Sequence, residues 1–256
     1  MKFPGRDYGS AGRVVVATPQ ANPTVESEFG IMLPRRVSLH VTRLQSRAAD
    51  SAGRLVEYLE KLDSSIASLD SFRPDAFGFA CTGSSYLVGE GEEDEIVARA
   101  EARSGLRIDT ATAAIRWMLA HLGARRIALL SPYPEALHAA AATYWKATGI
   151  QIVRSARVAI RTEDTRGIYE LRAADAGPAL AALDLTGLDA VLVSGSGLPS
   201  LPLLASWPGM PPLISSNACL AARLMDRLGV PPGTDTLNGD PLAGLAGWQH
   251  RLAEAV

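Results

Sequence analysis

Cysteine is nearly missing from this chain: Cys81 and Cys219 are the only two among 256 residues. No disulfide framework can organise the fold, and the thiols are expected to stay reduced in the cytoplasm. An excess of either charge is missing as well. Lys and Arg total 25 against 27 Asp and Glu, and both signs are spread along the chain, which excludes the electrostatic footprint of a nucleic-acid binder. No stretch of about 18 uninterrupted apolar residues occurs, and the opening MKFPGRDYGSAGR has no apolar signal core, so a soluble chain with no membrane partner is expected. The four histidines His40, His121, His138 and His250 do not cluster, so neither a metal set nor a Ser-His-Asp triad is legible. Neither GxxxxGK[ST] nor a GxGxxG after the first strand is found, which removes the common phosphate cradles.

What is present is alternation of short β-branched runs with helical periodicity, the signature of an α/β fold. Strands are predicted at Arg13–Ala17, Val37–Leu44, Ala76 to Cys81 and Arg107–Thr110, with a helix from Asp50 to Leu69 and another from the acidic GEGEEDE run to Gly105. A helix from Ala111 to Leu122 closes this half. The pattern then restarts: strands at Arg126–Leu130, within Ile150–Ile160, at Ala190–Val193 and Pro212–Ile214, and helices at Glu135–Thr148, within Thr162–Leu183 and in ACLAARLMDRLG. The tail from Val230, rich in Pro, Gly and Asp, has room for a short C-terminal helix.

The halves read as copies, FGFACTGSSYL beside AVLVSGSGLPSL and GLRIDTATAAIRWMLAHLGA beside PPLISSNACLAARLMDRLGV. A duplication predicts two pseudo-symmetric αβα lobes, each with a mainly parallel four-stranded sheet, and an active site in the cleft between them. Residues 1–122 and 217–256 would form the first lobe, 123–216 the second. In this register Cys81 faces Gly195, Thr82 pairs with Ser196, and Tyr133 belongs to the loop that mirrors Pro19 to Asn22.

The stretch AFGFACTGSSYLV carries the chemistry. A buried parallel strand delivers a thiol to its carboxyl end, followed by small hydroxylated residues in a predicted loop whose N–H groups can face an anion. A thiolate is both nucleophile and base, and its pKa falls where N–H dipoles point at it. The alternative is an ordinary core cysteine, which is the reading for Cys219 on its amphipathic helix. The clusters CTGSS, SGSG and SSNA contain no Lys or Arg, so a substrate carboxylate would be held by backbone amides and hydroxyls. Each cluster alone is also ordinary turn chemistry. Tyr133 in SPYPE can donate its phenolic hydrogen, and Asn22 is either an amide donor or a turn starter before Pro23. The loops Tyr86 to Glu95 and Leu198 to Trp207 are where specificity is expected.

The set TPQANPTVESE, FACTGSS, SPYPE, VSGSG and LISSN resembles, in order and spacing over nearly the whole chain, the aspartate/glutamate racemase superfamily, in the branch of maleate cis-trans isomerases and arylmalonate decarboxylases. The resemblance implies a cofactor-independent enzyme with no metal, flavin or pyridoxal group. It makes Cys81 the catalytic thiol of the first lobe, Asn22 and Tyr133 carboxylate-binding residues, and Thr82 with Gly83 the adjoining oxyanion loop. Thr165 stands near where the isomerases tend to have an amide side chain. Gly195, with Ser196 beside it, occupies the place of the second thiol. Losing one of two bases argues against two-base racemisation.

One thiol suffices for maleate-isomerase-like chemistry, in which Cys81 adds to an activated double bond, rotation follows and the thiolate leaves. It also suffices for decarboxylation of a 2-substituted malonate through an enediolate that Cys81 protonates. A carboxylate-binding protein without turnover is the reading from outside enzymology. The expected partner is a small carboxylic acid, and self-association into a homo-oligomer is compatible with the composition.

Overall fold

The computed structural model describes residues 6–230 and 248–255. The chain forms two sheets, each of four strands and each wholly parallel. The first is built from β1 (Gly12–Pro19), β2 (Val37–Leu44), β3 (Ala76–Phe79) and β4 (Ile108–Thr110), in the order β2-β1-β3-β4. The second repeats that order with β5 (Arg126–Ser131), β6 (Gln151–Arg157), β7 (Ala190–Val193) and β8 (Leu213–Ser215), as β6-β5-β7-β8. The central strands are buried along their lengths, which is why VVVA, AFGF and AVLV read as continuous apolar runs and do not alternate.

The first half supplies helices α1 (Thr24–Met32), α2 (Ser51–Glu60), α3 (Leu62–Ala67), α4 (Thr82–Val88), α5 (Glu90–Ser104) and α6 (Ala111–His121). The second supplies α7 (Glu135–Ala147), a 3-10 turn at Thr165–Glu170, α8 (Ala173–Ala181), α9 (Leu201–Ser206) and α10 (Ser216–Arg227). A final helix, α11, spans Trp248–Ala255; the part of the tail at 231–247 lies outside the described residues. The duplication extends to the caps. The last residue of β4, Thr110, accepts from Ala113 N at 3.0 Å to start α6, and the last residue of β8, Ser215, accepts from Ala218 N at 3.2 Å to start α10.

Helices α6 and α10 pack on each other, and α10 also covers the first sheet. Gly78 on β3 permits this approach, because a Cβ there would lie 3.0 Å from Leu224 Cδ1. Asp109 on β4 then receives Arg223 Nε at 3.1 Å and Arg227 Nε at 2.8 Å. Buried residues of both halves belong to one hydrophobic cluster.

Two sequence expectations change. The helix read over Asp50–Leu69 is two helices, because Lys61 leaves helical geometry (φ −93°, ψ 21°) while the apolar spacing runs on through it. The CTGSS segment is no loop: Thr82 already opens α4, since short hydroxylated residues suit a first helical turn as well as a turn in a loop.

Candidate active site

β3 and β7 end in equivalent ways. Ala80 N donates to Ala17 O and Ser194 N to Leu130 O, both at 2.8 Å, so Ala80 corresponds to Ser194, Cys81 to Gly195 and Thr82 to Ser196. Two of the hydrogen bonds that join the halves lie at these strand ends. Ser196 Oγ donates to Ala80 O at 2.8 Å, and Ser194 Oγ donates to Thr82 Oγ1 at 3.4 Å. The two contacts join equivalent pairs of residues through different atoms, the first from side chain to backbone and the second between side chains.

Cys81 is the residue before the first turn of α4, in extended geometry, and is buried at 4% exposure. Ser84 Oγ donates to its sulfur at 3.2 Å. Burial is the largest influence on this thiol and raises its pKa; Ser84 and the N–H groups of Gly83 and Ser84 pull it back only in part. The lowered pKa expected from the N–H setting is therefore reversed, because desolvation of a sealed sulfur outweighs three short-range donors. Burial is the largest influence on Tyr58, Tyr133 and Tyr169 and raises all three phenol pKa values; negative charge on Cys81 adds to the rise, for Tyr133 after the contribution of Tyr86.

Thr82 Oγ1 lies 2.5 Å from Tyr133 Oη. Asn22 Nδ2 donates to Ser196 Oγ at 3.2 Å, while its Oδ1 accepts from Thr24 N and Val25 N at the start of α1. Both readings of Asn22, turn former and amide donor, describe the same side chain. Asn22, Thr82, Tyr133, Gly195 and Ser196 thus form one cluster with Cys81. Gly83 has a packing duty too: a Cβ there would sit 3.2 Å from Leu55 Cδ1.

Thr165 is held to α2, with its hydroxyl 2.9 Å from Ser51 Oγ, and bonds none of the residues of this cluster. Next to it Asp164 pairs with Arg54 at 2.6 Å, so the 3-10 turn of the second half is strapped to α2 of the first. The arginines on both sides keep the Asp164 carboxyl well below the ordinary carboxylate range, with Arg166 contributing most.

The SSNA segment backs the site and does not face it. Ser216 Oγ accepts from Gly195 N at 3.1 Å, and Asn217 Nδ2 donates to Ser196 O at 3.0 Å and to Glu28 at 2.7 Å. Buried Glu28 also accepts from Leu201 N at 2.9 Å. Burial pushes its carboxyl up against the pull of these donors.

Sequence reading missed Tyr58, Tyr169, Ser84 and a chain of hydroxyls behind Thr82. It also missed Glu93: the GEGEEDE run reads as a solvated helix start, yet Glu93 is fully buried and accepts from Ser85 Oγ at 2.7 Å and Tyr144 Oη at 2.6 Å. The presumed specificity loops are largely helical, since Tyr86 to Glu95 falls on α4 and α5 and Leu201–Ser206 is α9. Among the described residues no group of three or more His, Cys, Asp or Glu is placed to hold a metal ion, and no helix is long and apolar enough to cross a membrane.

Residues 19–234 match the profile of the arylmalonate decarboxylase family. A maleate isomerase of Nocardia farcinica is 26% identical over 219 residues, covering 80% of this chain and 86% of that protein. The fold is shared with the maleate isomerase Iso of Pseudomonas putida S16, solved with maleate: TM-score 0.79, 21% identity, 91% of this chain and 98% of that one. It is shared too with a variant of the Nocardia farcinica maleate cis-trans isomerase that carries a covalently bound succinylcysteine intermediate, at TM-score 0.76 and 22% identity over 86% of this chain and 93% of that one.

Proposed function

The chain belongs to the arylmalonate decarboxylase family, and from that premise we propose that it is a cofactor-independent isomerase of a small dicarboxylic acid with a carbon–carbon double bond, working through Cys81. What supports this reading is a thiol at the head of α4, next in the chain to Thr82 whose hydroxyl lies 2.5 Å from Tyr133 Oη, with Gly195 at the equivalent position of the other half. The Cys81 thiol first passes its proton to solvent water and takes one back when the cycle ends. The sulfur then adds to one alkene carbon, and the alkene pair moves into the adjoining carboxylate as an enediolate. Thr82, Tyr133 and Asn22 supply hydrogen bonds where that charge develops. Rotation about the new single bond and return of the electron pair expel the sulfur, so no atom is gained or lost. Covalent attachment to a cysteine in the Nocardia farcinica relative supports this route.

A second reading is favoured by the raised pKa of Cys81, which keeps the thiol protonated at neutral pH. A 2-substituted malonate would lose CO2 to give the same kind of enediolate, and the thiol would protonate its carbon from one face. Proton NMR in D2O with maleate and with 2-substituted malonates, wild type beside Cys81→Ala, separates the readings by product. Conversion that is lost in Cys81→Ala is expected; conversion that survives the substitution removes both, and binding without conversion leaves a carboxylate-binding protein.

A further inference from the structure

Behind the Thr82–Tyr133 pair runs a row of buried groups that no step above uses. Thr82 Oγ1 accepts from Ser194 Oγ at 3.4 Å, Ser194 Oγ lies 2.8 Å from Tyr86 Oη, and Tyr86 Oη accepts from Trp145 Nε1 at 3.1 Å. All five side chains are buried. The row crosses from the loop after β5 through α4 and the end of β7 to α7.

Five groups bring five hydrogens to four links. An indole N–H donates and cannot accept, so the end at Trp145 has a fixed direction. With that N–H aimed at its oxygen, Tyr86 has Ser194 Oγ, 2.8 Å away, as the acceptor for its own hydrogen, since a buried hydroxyl hydrogen left without a partner is costly. The hydrogen of Ser194 is already directed at Thr82. One hydrogen is therefore left over, at the far end, on whichever of Thr82 and Tyr133 does not donate to the other. Hydroxyls alone could run the row in either direction, and the reverse direction would present the site with lone pairs, which repel a carboxylate.

Resting on the carboxylate-binding reading above, we infer that Trp145 is a positioning residue that, through Tyr86 and Ser194, fixes the Thr82–Tyr133 pair as a hydrogen-bond donor to the substrate carboxylate. Replacing the indole by a ring without N–H lets the Tyr86 hydrogen turn to that side and away from Ser194, and the row can then reverse.

The test is calorimetric titration of maleate and of malonate into wild type, Trp145→Phe, Tyr86→Phe and the double variant, with thermal melts alongside. Each single variant is expected to raise Kd at least about tenfold, which corresponds to ~1.4 kcal/mol and the lower range for a hydrogen bond to a charged group. The double variant should bind no worse than Tyr86→Phe alone, because the link is already cut. A purely structural role of Trp145 would give additive losses, and additivity or an unchanged Kd in Trp145→Phe overturns the inference. Should Trp145→Phe fail to fold, Tyr86→Phe decides by itself: an unchanged Kd overturns the inference. A wild-type protein that binds neither acid overturns the carboxylate reading together with it, whereas binding insensitive to both substitutions removes only the positioning role.

Discussion

The hydroxyl of Ser196 donates to the carbonyl of Ala80 at 2.8 Å, joining the residue before Cys81 in one half to the residue after Gly195 in the other. This contact and the Ser194–Thr82 bond flank Cys81 and Gly195, the equivalent positions of the two halves. Gly195 has φ +111°, and a Cβ there would lie 3.0 Å from Pro132 Cδ. Both the backbone and the proline ring resist any side chain at this position.

Gly195→Ala is accordingly expected to destabilise the protein by about 1–3 kcal/mol, read as a lower denaturation midpoint. Gly195→Cys should suffer the same cost and gain no two-base racemisation, measured as deuterium exchange into a chiral acid. Full stability in either variant would show that the loop relaxes freely.

Ser84→Ala removes a donor that favours the Cys81 thiolate. Alkylation by iodoacetamide as a function of pH should give wild type a midpoint above that of an ordinary thiol, since burial dominates, and Ser84→Ala a midpoint higher still. A wild-type midpoint below the ordinary value would contradict the sealed setting of the sulfur.

The Arg54–Asp164 pair straps the 3-10 turn to α2. Asp164 has a lowered folded pKa, so its contribution is present above the ordinary carboxylate pKa and is lost as pH falls through the lower folded value. At neutral pH, Asp164→Asn should speed alkylation of Cys81 several-fold by loosening the cover. An unchanged rate would mean that the sulfur is reached by another path.

Glu28 runs the opposite way. Its folded pKa is raised, so the stability it contributes is full below the unfolded value, near 4.5, and declines as pH rises through the folded one. Glu28→Gln should therefore flatten the fall of melting temperature from pH 4.5 upward. A pH profile that keeps its slope would assign it to other groups.

Asp109 fastens α10 to the first sheet. Asp109→Ala should cost about 3 kcal/mol, the low end for losing one partner of a buried ion pair, because Arg223 and Arg227 keep some contact with water. A loss confined to a few tenths would make the ion pairs incidental to the crossover.

The succession of strands along the chain was legible in the sequence because parallel strands buried on both faces leave dense β-branched and aliphatic runs, and the two halves repeat their turn chemistry. Cys81, Asn22 and Tyr133 stood out for the same reason: each follows such a run at a strand's carboxyl end. Periodicity did not register the one-residue break at Lys61. Composition alone could not tell the hydroxyls that face the site in CTGSS from those in SSNA that brace it from behind.

The amino-acid order by itself determined the two parallel sheets, their duplication and the single thiol at the end of β3, since these are set by local pattern and chain connectivity. Tertiary structure alone decided the protonation tendency of Cys81, the burial of Glu93 and the row from Trp145 to Tyr133. Desolvation and hydrogen-bond direction depend on which groups from distant segments are pressed together, and no stretch of the chain carries that information alone.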